Sequence, residues 1–346
     1  MISPHDAKFK RDWPEWLIRV GPGASEALSA ISETIGRLGQ EVALGFTYEH
    51  VLQAQANRIN EYLARGGPNP PKSILAANTY DYGSVPRMFV TLGFASQTAI
   101  VRLLETFHES VSRNDWLTGF VVLRSVFEHV SHYNAVILRL RSIKVPHHFE
   151  VARKTLDEAE DFLVKKIYGT RIDWNAFHDP DVDERIDKNK LKYQKGEKDM
   201  DRSADQVLNA IDGLSKEIKG TRAVYEILCE FAHPNFGMLL ACTEFAEYRE
   251  DDNGVQWVQK RLGLGQPCAL TENTVCPLAR ILQQSAQCLS HYESLRGDGA
   301  HEHEKLLQLA QMVVRELLSK RQRLIGPYAP CPCGSGKKLR FCCGRK

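Results

Sequence analysis

Four of the nine cysteines in this 346-residue chain lie near its carboxyl end, arranged as two pairs. Cys331 and Cys333 flank a proline, and Cys342 and Cys343 follow after eight intervening residues. Two pairs of thiolates suit Zn²⁺, which takes four sulfur ligands tetrahedrally in structural sites. Because a segment this short cannot bury enough apolar surface to fold alone, a bound metal would have to stabilise it. The pattern therefore predicts one structural Zn²⁺ held by these four cysteines.

The tail reads Cys331-Pro-Cys-Gly-Ser-Gly-Lys-Lys-Leu-Arg-Phe-Cys-Cys343. It closely resembles the SEC-C motif, the zinc-binding tail of the SecA preprotein translocase, which many unrelated bacterial proteins also carry. The resemblance covers residues 328–346 and implies Cys331, Cys333, Cys342 and Cys343 as the metal ligands. In SecA-like proteins the motif contacts the export chaperone SecB and the ribosome. The resemblance therefore implies a SecB-like chaperone, the ribosome or RNA as the partner.

Charge is unevenly distributed along the chain. Residues 320–346 contain eight Lys and Arg and no acid, although the whole chain has a formal net charge of only +2. Residues 1–319 therefore carry about −6 (2 − 8). A basic tail on a mildly acidic body is typical of a docking element for an anionic partner. A solubilising terminus without a partner is the alternative. The chain has no Gly-x-x-x-x-Gly-Lys-Ser/Thr loop, which argues against ATP-driven export.

A second pair of residues that could do chemistry is Arg124 and His129, in the run Arg-Ser-Val-Phe-Glu-His. A later helix ends in Phe-Ala-His233-Pro234. Together these runs resemble a family of bacterial all-α domains similar to the HEPN class, whose ribonucleases share an Arg-x(4–6)-His motif. The resemblance implies that Arg124 stabilises a phosphorane while His129 activates an RNA 2′-hydroxyl, without metal and often across a dimer. Such cleavage requires a base whose pKa lies near neutral pH and a fixed cation that binds the phosphate.

Two other interpretations of the same helices remain open. Arg124 and Glu128 are four residues apart, so they could form a structural ion pair inside the bundle. Alternatively, two Glu-x-x-His pairs and two further carboxylates have the ligand types of a di-metal site in a helix bundle. These residues are Glu105 with His108, Glu230 with His233, and Glu61 and Glu128.

The elements that would position these residues are mostly helical. Apolar periodicity and breaker residues predict helices at about Ala24–Leu38, Tyr48–Arg65, Val85–His108, Trp116–Arg141, Ser203–Phe231, Pro277–Leu295 and Glu302–Leu324. Asp115 would cap the helix that contains Arg124. Loops are predicted at Gly66–Lys72 and Asn78–Pro86. A turn signal at Asp251–Gly254 predicts a small β-hairpin.

We therefore predict a mainly α protein, with a multi-helix bundle at residues 1–326, a charged insertion at about 173–206 and a zinc-stabilised module at 327–346. No run approaches the roughly 18 apolar residues of a membrane span, and no signal pattern opens the chain. An odd cysteine count argues against a disulfide framework, so we expect a cytoplasmic location.

The expected function is non-catalytic. The zinc tail would dock the helical body onto an anionic protein or ribosomal partner. The alternative is a HEPN-like metal-independent ribonuclease of the toxin or defence type. Arg124 and His129 would be its catalytic residues, a homodimer its active form and the zinc tail its targeting element.

Overall fold

A computed structural model describes residues 22–45, 72–168, 207–234, 236–250, 252–263 and 277–324. The four-cysteine tail, the charged insertion at 173–206 and the helix predicted at Tyr48–Arg65 lie outside these residues, so those predictions are not tested by the structure. Among the described residues, no helix is long and apolar enough to cross a membrane.

The described residues are mostly helical, which confirms the mainly α prediction. The helices are α1 (Pro22–Ala43), α2 (Lys72–Ser112), α3 (Trp116–Arg141), α4 (Phe149–Tyr168), α5 (Val207–Glu217), α6 (Thr221–Ala232), α7 (Phe236–Cys242) and α8 (Pro277–Leu324). Strands β1 (Thr243–Glu250) and β2 (Gln256–Leu262) pair antiparallel, with Tyr248 opposite Val258. Their connection contains Gly254 at a φ of 76°, a conformation that glycine adopts without steric cost.

The chain separates into two compact units. The first comprises residues 1–46, 93–138 and 206–298, and its core is built from large side chains that are fully buried, including Leu28, Ile31, Phe107, Phe120 and Tyr292. The second comprises residues 47–92, 139–205 and 299–346, and its buried residues include Phe89, Leu140, Leu156, Leu163 and Val313. Both units thus contain fully or largely buried apolar side chains.

Helix α3 begins where the sequence predicts. The backbone N–H of Thr118 donates to Oδ1 of Asp115 over 3.1 Å, so the predicted cap is confirmed. Phe120 and Phe127 are fully buried on this helix, and Phe120 stacks on Phe231 of α6 with ring centroids 4.4 Å apart. Val121 is 39% exposed, so the helix is buried on most of its circumference but not all of it.

The loop predicted at Asn78–Pro86 is wrong, because α2 runs without interruption from Lys72 to Ser112 with Pro86 inside it. A proline inside a helix costs about 3 kcal/mol, since it removes one backbone hydrogen bond and crowds the preceding turn. Val85, Phe89 and Leu92 are all buried around it. Burial of these apolar side chains offsets the cost and keeps the helix continuous.

Two other helix boundaries differ from the prediction. The single helix predicted at Ser203–Phe231 is divided, because Gly220 has a φ of 92° and separates α5 from α6. The two helices predicted at Pro277–Leu295 and Glu302–Leu324 are one helix, α8. Gly297 lies inside it, and a glycine costs only about 1 kcal/mol in a helix interior, which buried neighbours such as Leu295 can offset.

Candidate functional site

Three side chains in the first unit meet at one carboxylate oxygen. Glu128 and Arg124 lie one turn apart on α3, and Nη2 of Arg124 is 3.2 Å from Oε1 of Glu128. The hydroxyl of Tyr225, on α6, donates to the same oxygen over 2.7 Å. The guanidinium carbon of Arg124 lies 5.8 Å from the centre of the Tyr225 ring, within the range of a cation–π contact. We call these three residues the α3–α6 cluster.

The α3–α6 cluster is partly open to water at its charged end. The side chains of Arg124 and Glu128 are 31% and 28% exposed, whereas Tyr225 is only 2% exposed. Burial and the hydrogen bond to Glu128 raise the pKa of Tyr225 to about 12, because both favour the neutral phenol. Burial alone would lower the pKa of Arg124, but its interactions with Tyr225 and with the charge of Glu128 outweigh this and raise the pKa. Arg124 therefore keeps its positive charge beside Glu128.

His129 is half-buried on the same helix. Burial lowers its pKa, and the charge of Glu128 opposes this shift only in part, so the imidazole is neutral at pH 7. Residues five apart on a helix diverge by about 140°. Among the described contacts, no hydrogen bond or ion pair joins His129 to Arg124. The structure thus gives Arg124 two partners, Glu128 and Tyr225, and places His129 outside that group.

What the cluster can do follows from its charges. A phosphate reaching Arg124 would compete with Glu128, an anion already 3.2 Å away. A neutral histidine could accept a proton, as a ribonuclease base must. The contacts around Arg124 are those of a structural ion pair supported by a tyrosine, although the Nε atom of Arg124 is buried and has no hydrogen-bond partner in the described part of the chain.

The di-metal interpretation is not supported. Within the described residues, no three His, Cys, Asp or Glu side chains come close enough together to hold a metal ion. This covers both Glu-x-x-His pairs and Glu128, while Glu61 lies outside the description. His233 is exposed at the C-cap of α6, where the helix ends before Pro234 as the sequence predicts. The zinc ligands Cys331, Cys333, Cys342 and Cys343 lie outside the described residues and stay a prediction.

The cysteines of the helical body that the structure describes are free thiols. Cys288 is buried, and burial raises its pKa to about 12, which keeps it protonated and unreactive. Cys229 and Cys242 are partly exposed. Cys288 therefore lacks the features of an activated nucleophile.

The sequence pairs Arg124 with Glu128 through their helical spacing, but it does not join Tyr225 to Glu128. One signal pointed to such a partner. An Arg that precedes a Glu by four residues is in the less favourable order for a helix, so a partner from outside the helix was to be expected. Comparisons with protein-family models, with curated proteins and with solved structures each find no match for this chain.

Proposed function

We propose that this chain is a zinc-binding, non-catalytic docking protein. Its SEC-C tail, at residues 327–346, holds one Zn²⁺ through Cys331, Cys333, Cys342 and Cys343 and attaches the helical body to an anionic partner in the cytoplasm. The candidate partners are a SecB-like chaperone, the ribosome and RNA. The observation that carries the proposal is the spacing of the four cysteines within a tail that has eight basic and no acidic residues from 320 onward.

The helical body supports a non-catalytic role. The one cation singled out for chemistry, Arg124, is already paired with Glu128 and Tyr225. A guanidinium that is already paired with a carboxylate and packed on a tyrosine is better suited to holding two helices together than to stabilising a transition state.

The test has two readouts on the full chain. Metal analysis should find one zinc per chain, and Cys331→Ser and Cys342→Ser should each lose it while Cys242→Ser keeps it. Co-sedimentation with purified ribosomes, and binding to a purified SecB-like chaperone, should then be lost in the two zinc-ligand variants and should weaken as salt increases. Partner binding that is unchanged by both zinc-ligand variants would contradict the proposal.

A ribonuclease is the second candidate, favoured by two observations. Arg124 keeps 31% of its side chain exposed, and His129 has a lowered pKa that makes it a neutral base at pH 7. Purified protein in excess chelator should then cleave RNA to 2′,3′-cyclic phosphates, and Arg124→Ala and His129→Ala should both abolish cleavage while the exposed-site control Arg113→Ala does not. Absence of cleavage at high protein concentration removes this candidate.

A further inference from the structure

A cavity of about 320 Å³ lies in the second unit, between the C-terminal end of α3, the connection that follows it and α4. Six apolar residues line it: Leu140, Ile143, Pro146, Val151, Ala159 and Phe162. Its volume is within the range of small-molecule sites, which are mostly apolar with a few polar groups that orient the ligand. At the ~30 Å³ that a water molecule occupies in the liquid, there is room for about ten non-hydrogen atoms.

The apolar wall is incompletely covered by the protein. Val151 is 51% exposed, although it belongs to the cavity lining. Ile143, Pro146 and Phe162 are each partly exposed as well. An apolar ligand body would remove this surface from water, and the gain is roughly 25 cal/mol per Å² covered.

The hydroxyl groups in the cavity lining already donate hydrogen bonds to backbone carbonyl oxygens. Ser142 donates to the carbonyl oxygen of Arg139 over 2.6 Å, and Thr155 donates to that of Val151 over 2.8 Å. Neither hydroxyl has a donor hydrogen left for a ligand. Recognition of a polar group in this cavity therefore depends on the charged side chains.

The charged side chains around the cavity include more cations than anions. Glu158 lines the cavity, and Nζ of Lys154 lies 3.9 Å from Oε1 of Glu158. Arg139 and Lys144 also line the cavity, and both are exposed with no ion-pair partner in the described part of the chain. Arg139 and Lys144 outnumber Glu158 in the cavity lining, and this positive surplus favours a negatively charged group in the ligand.

The backbone that carries these cations is held in place. Nζ of Lys305, on α8, donates to the carbonyl oxygens of Leu140 and Ile143 over 3.1 and 3.3 Å. The backbone N–H of Ile143 also donates to the carbonyl of Leu140 over 3.0 Å. These bonds fix the backbone between Arg139 and Lys144, so the positions from which the two side chains extend are set before a ligand arrives.

We propose that this cavity binds an amphipathic carboxylate of about ten non-hydrogen atoms. The apolar chain lies against Ile143, Val151 and Phe162, and the carboxylate is held by Arg139 and Lys144. Arginine suits this role because its planar guanidinium can donate two parallel hydrogen bonds to a carboxylate. None of the residues that line this cavity belongs to the zinc tail or to the α3–α6 cluster.

The test uses the full chain with octanoate as the probe, and octanol and octylamine as matched controls of nearly the same length. Calorimetric titration should show octanoate binding at least tenfold more tightly than either control. Arg139→Gln with Lys144→Gln should weaken octanoate binding about tenfold or more, and should leave the weak octanol binding unchanged. Val151→Glu, which places a carboxylate in the apolar wall, should abolish binding of octanoate.

The control variant is Arg153→Gln, which removes an exposed α4 cation that pairs with Asp157 and does not line the cavity. It should bind octanoate as the unaltered protein does. The proposal is overturned if octylamine binds as tightly as octanoate, if no octanoate binding is detected, or if Arg153→Gln weakens binding as much as the double cavity variant.

Discussion

The Tyr225 hydroxyl and the Glu128 carboxylate are joined by a 2.7 Å hydrogen bond across 97 residues of sequence. Nη2 of Arg124 lies 3.2 Å from the same oxygen of Glu128. One carboxylate therefore binds a side chain of its own helix and a side chain of a second helix. A hydrogen bond to a charged acceptor contributes about 1.5–3 kcal/mol, more than a neutral one. This bond is therefore a strong polar link between α3 and α6.

Removing the hydroxyl of Tyr225 should destabilise the protein. We expect Tyr225→Phe to lower the free energy of unfolding by about 1–2 kcal/mol, because Glu128 loses a donor and only partly regains water. Tyr292→Phe is the matched control, since Tyr292 is fully buried and its hydroxyl has no hydrogen-bond partner among the described residues. Urea denaturation of both variants measures the difference. Equal losses in the two would contradict the role given to the Glu128 bond.

How far the sequence predicts this structure depends on the range of each interaction. The cap at Asp115 and the apolar face of α3 are local patterns, and the structure has both. Pro86 and Gly297 are local breakers too, yet both lie inside continuous helices because burial of their neighbours outweighs them.

The candidate site is predictable only in part for the same reason. The ion pair between Arg124 and Glu128 follows from helical spacing, which is visible in the sequence. The contact with Tyr225 depends on how α6 packs on α3, and no local pattern contains that information. The same holds for Lys305, which bonds to the end of α3 from 165 and 162 residues away.

Alkaline pH should unfold the protein through its buried tyrosines. Burial raises the pKa of Tyr133 to about 12, from about 10 in an unfolded chain. The neutral phenol is favoured in the fold, so this stabilisation is complete below pH 10 and is lost as pH rises from 10 to 12. Urea denaturation at a series of pH values should show the free energy of unfolding falling over that interval. Tyr133→Phe should reduce the slope, and an unchanged slope would contradict the assignment.

Two glycines should respond to alanine in opposite directions. Gly220 has a φ of 92°, and an added Cβ would lie 3.2 Å from Oε1 of Gln284, so Gly220→Ala should cost about 1–2 kcal/mol. Gly213 is inside α5 with no atom within 4 Å of an added Cβ, so Gly213→Ala should stabilise by about 0.5–1 kcal/mol. Thermal denaturation of both variants gives the comparison. A loss of stability in Gly213→Ala would show that its helical environment is not open.

Lys305 should be among the most sensitive charged residues of the second unit. Its side chain is 16% exposed, pairs with the buried Glu302, and donates to the carbonyls of Leu140 and Ile143. Lys305→Met should cost about 3–5 kcal/mol, because it leaves a buried carboxylate without its cation and removes one donor from each of two carbonyls, of which that of Leu140 keeps the N–H of Ile143. Adding Glu302→Gln should recover part of this loss by removing the unpaired charge.

Lys154→Met is the matched control. The Lys154 side chain is 79% exposed and makes only a 3.9 Å surface pair with Glu158, so urea denaturation should place the free energy of unfolding of this variant within ~0.5 kcal/mol of that of the unaltered protein. If the second substitution recovers nothing, the loss comes from the carbonyls of Leu140 and Ile143 alone, and Lys305 acts as a cap at the end of α3 rather than as a counter-ion.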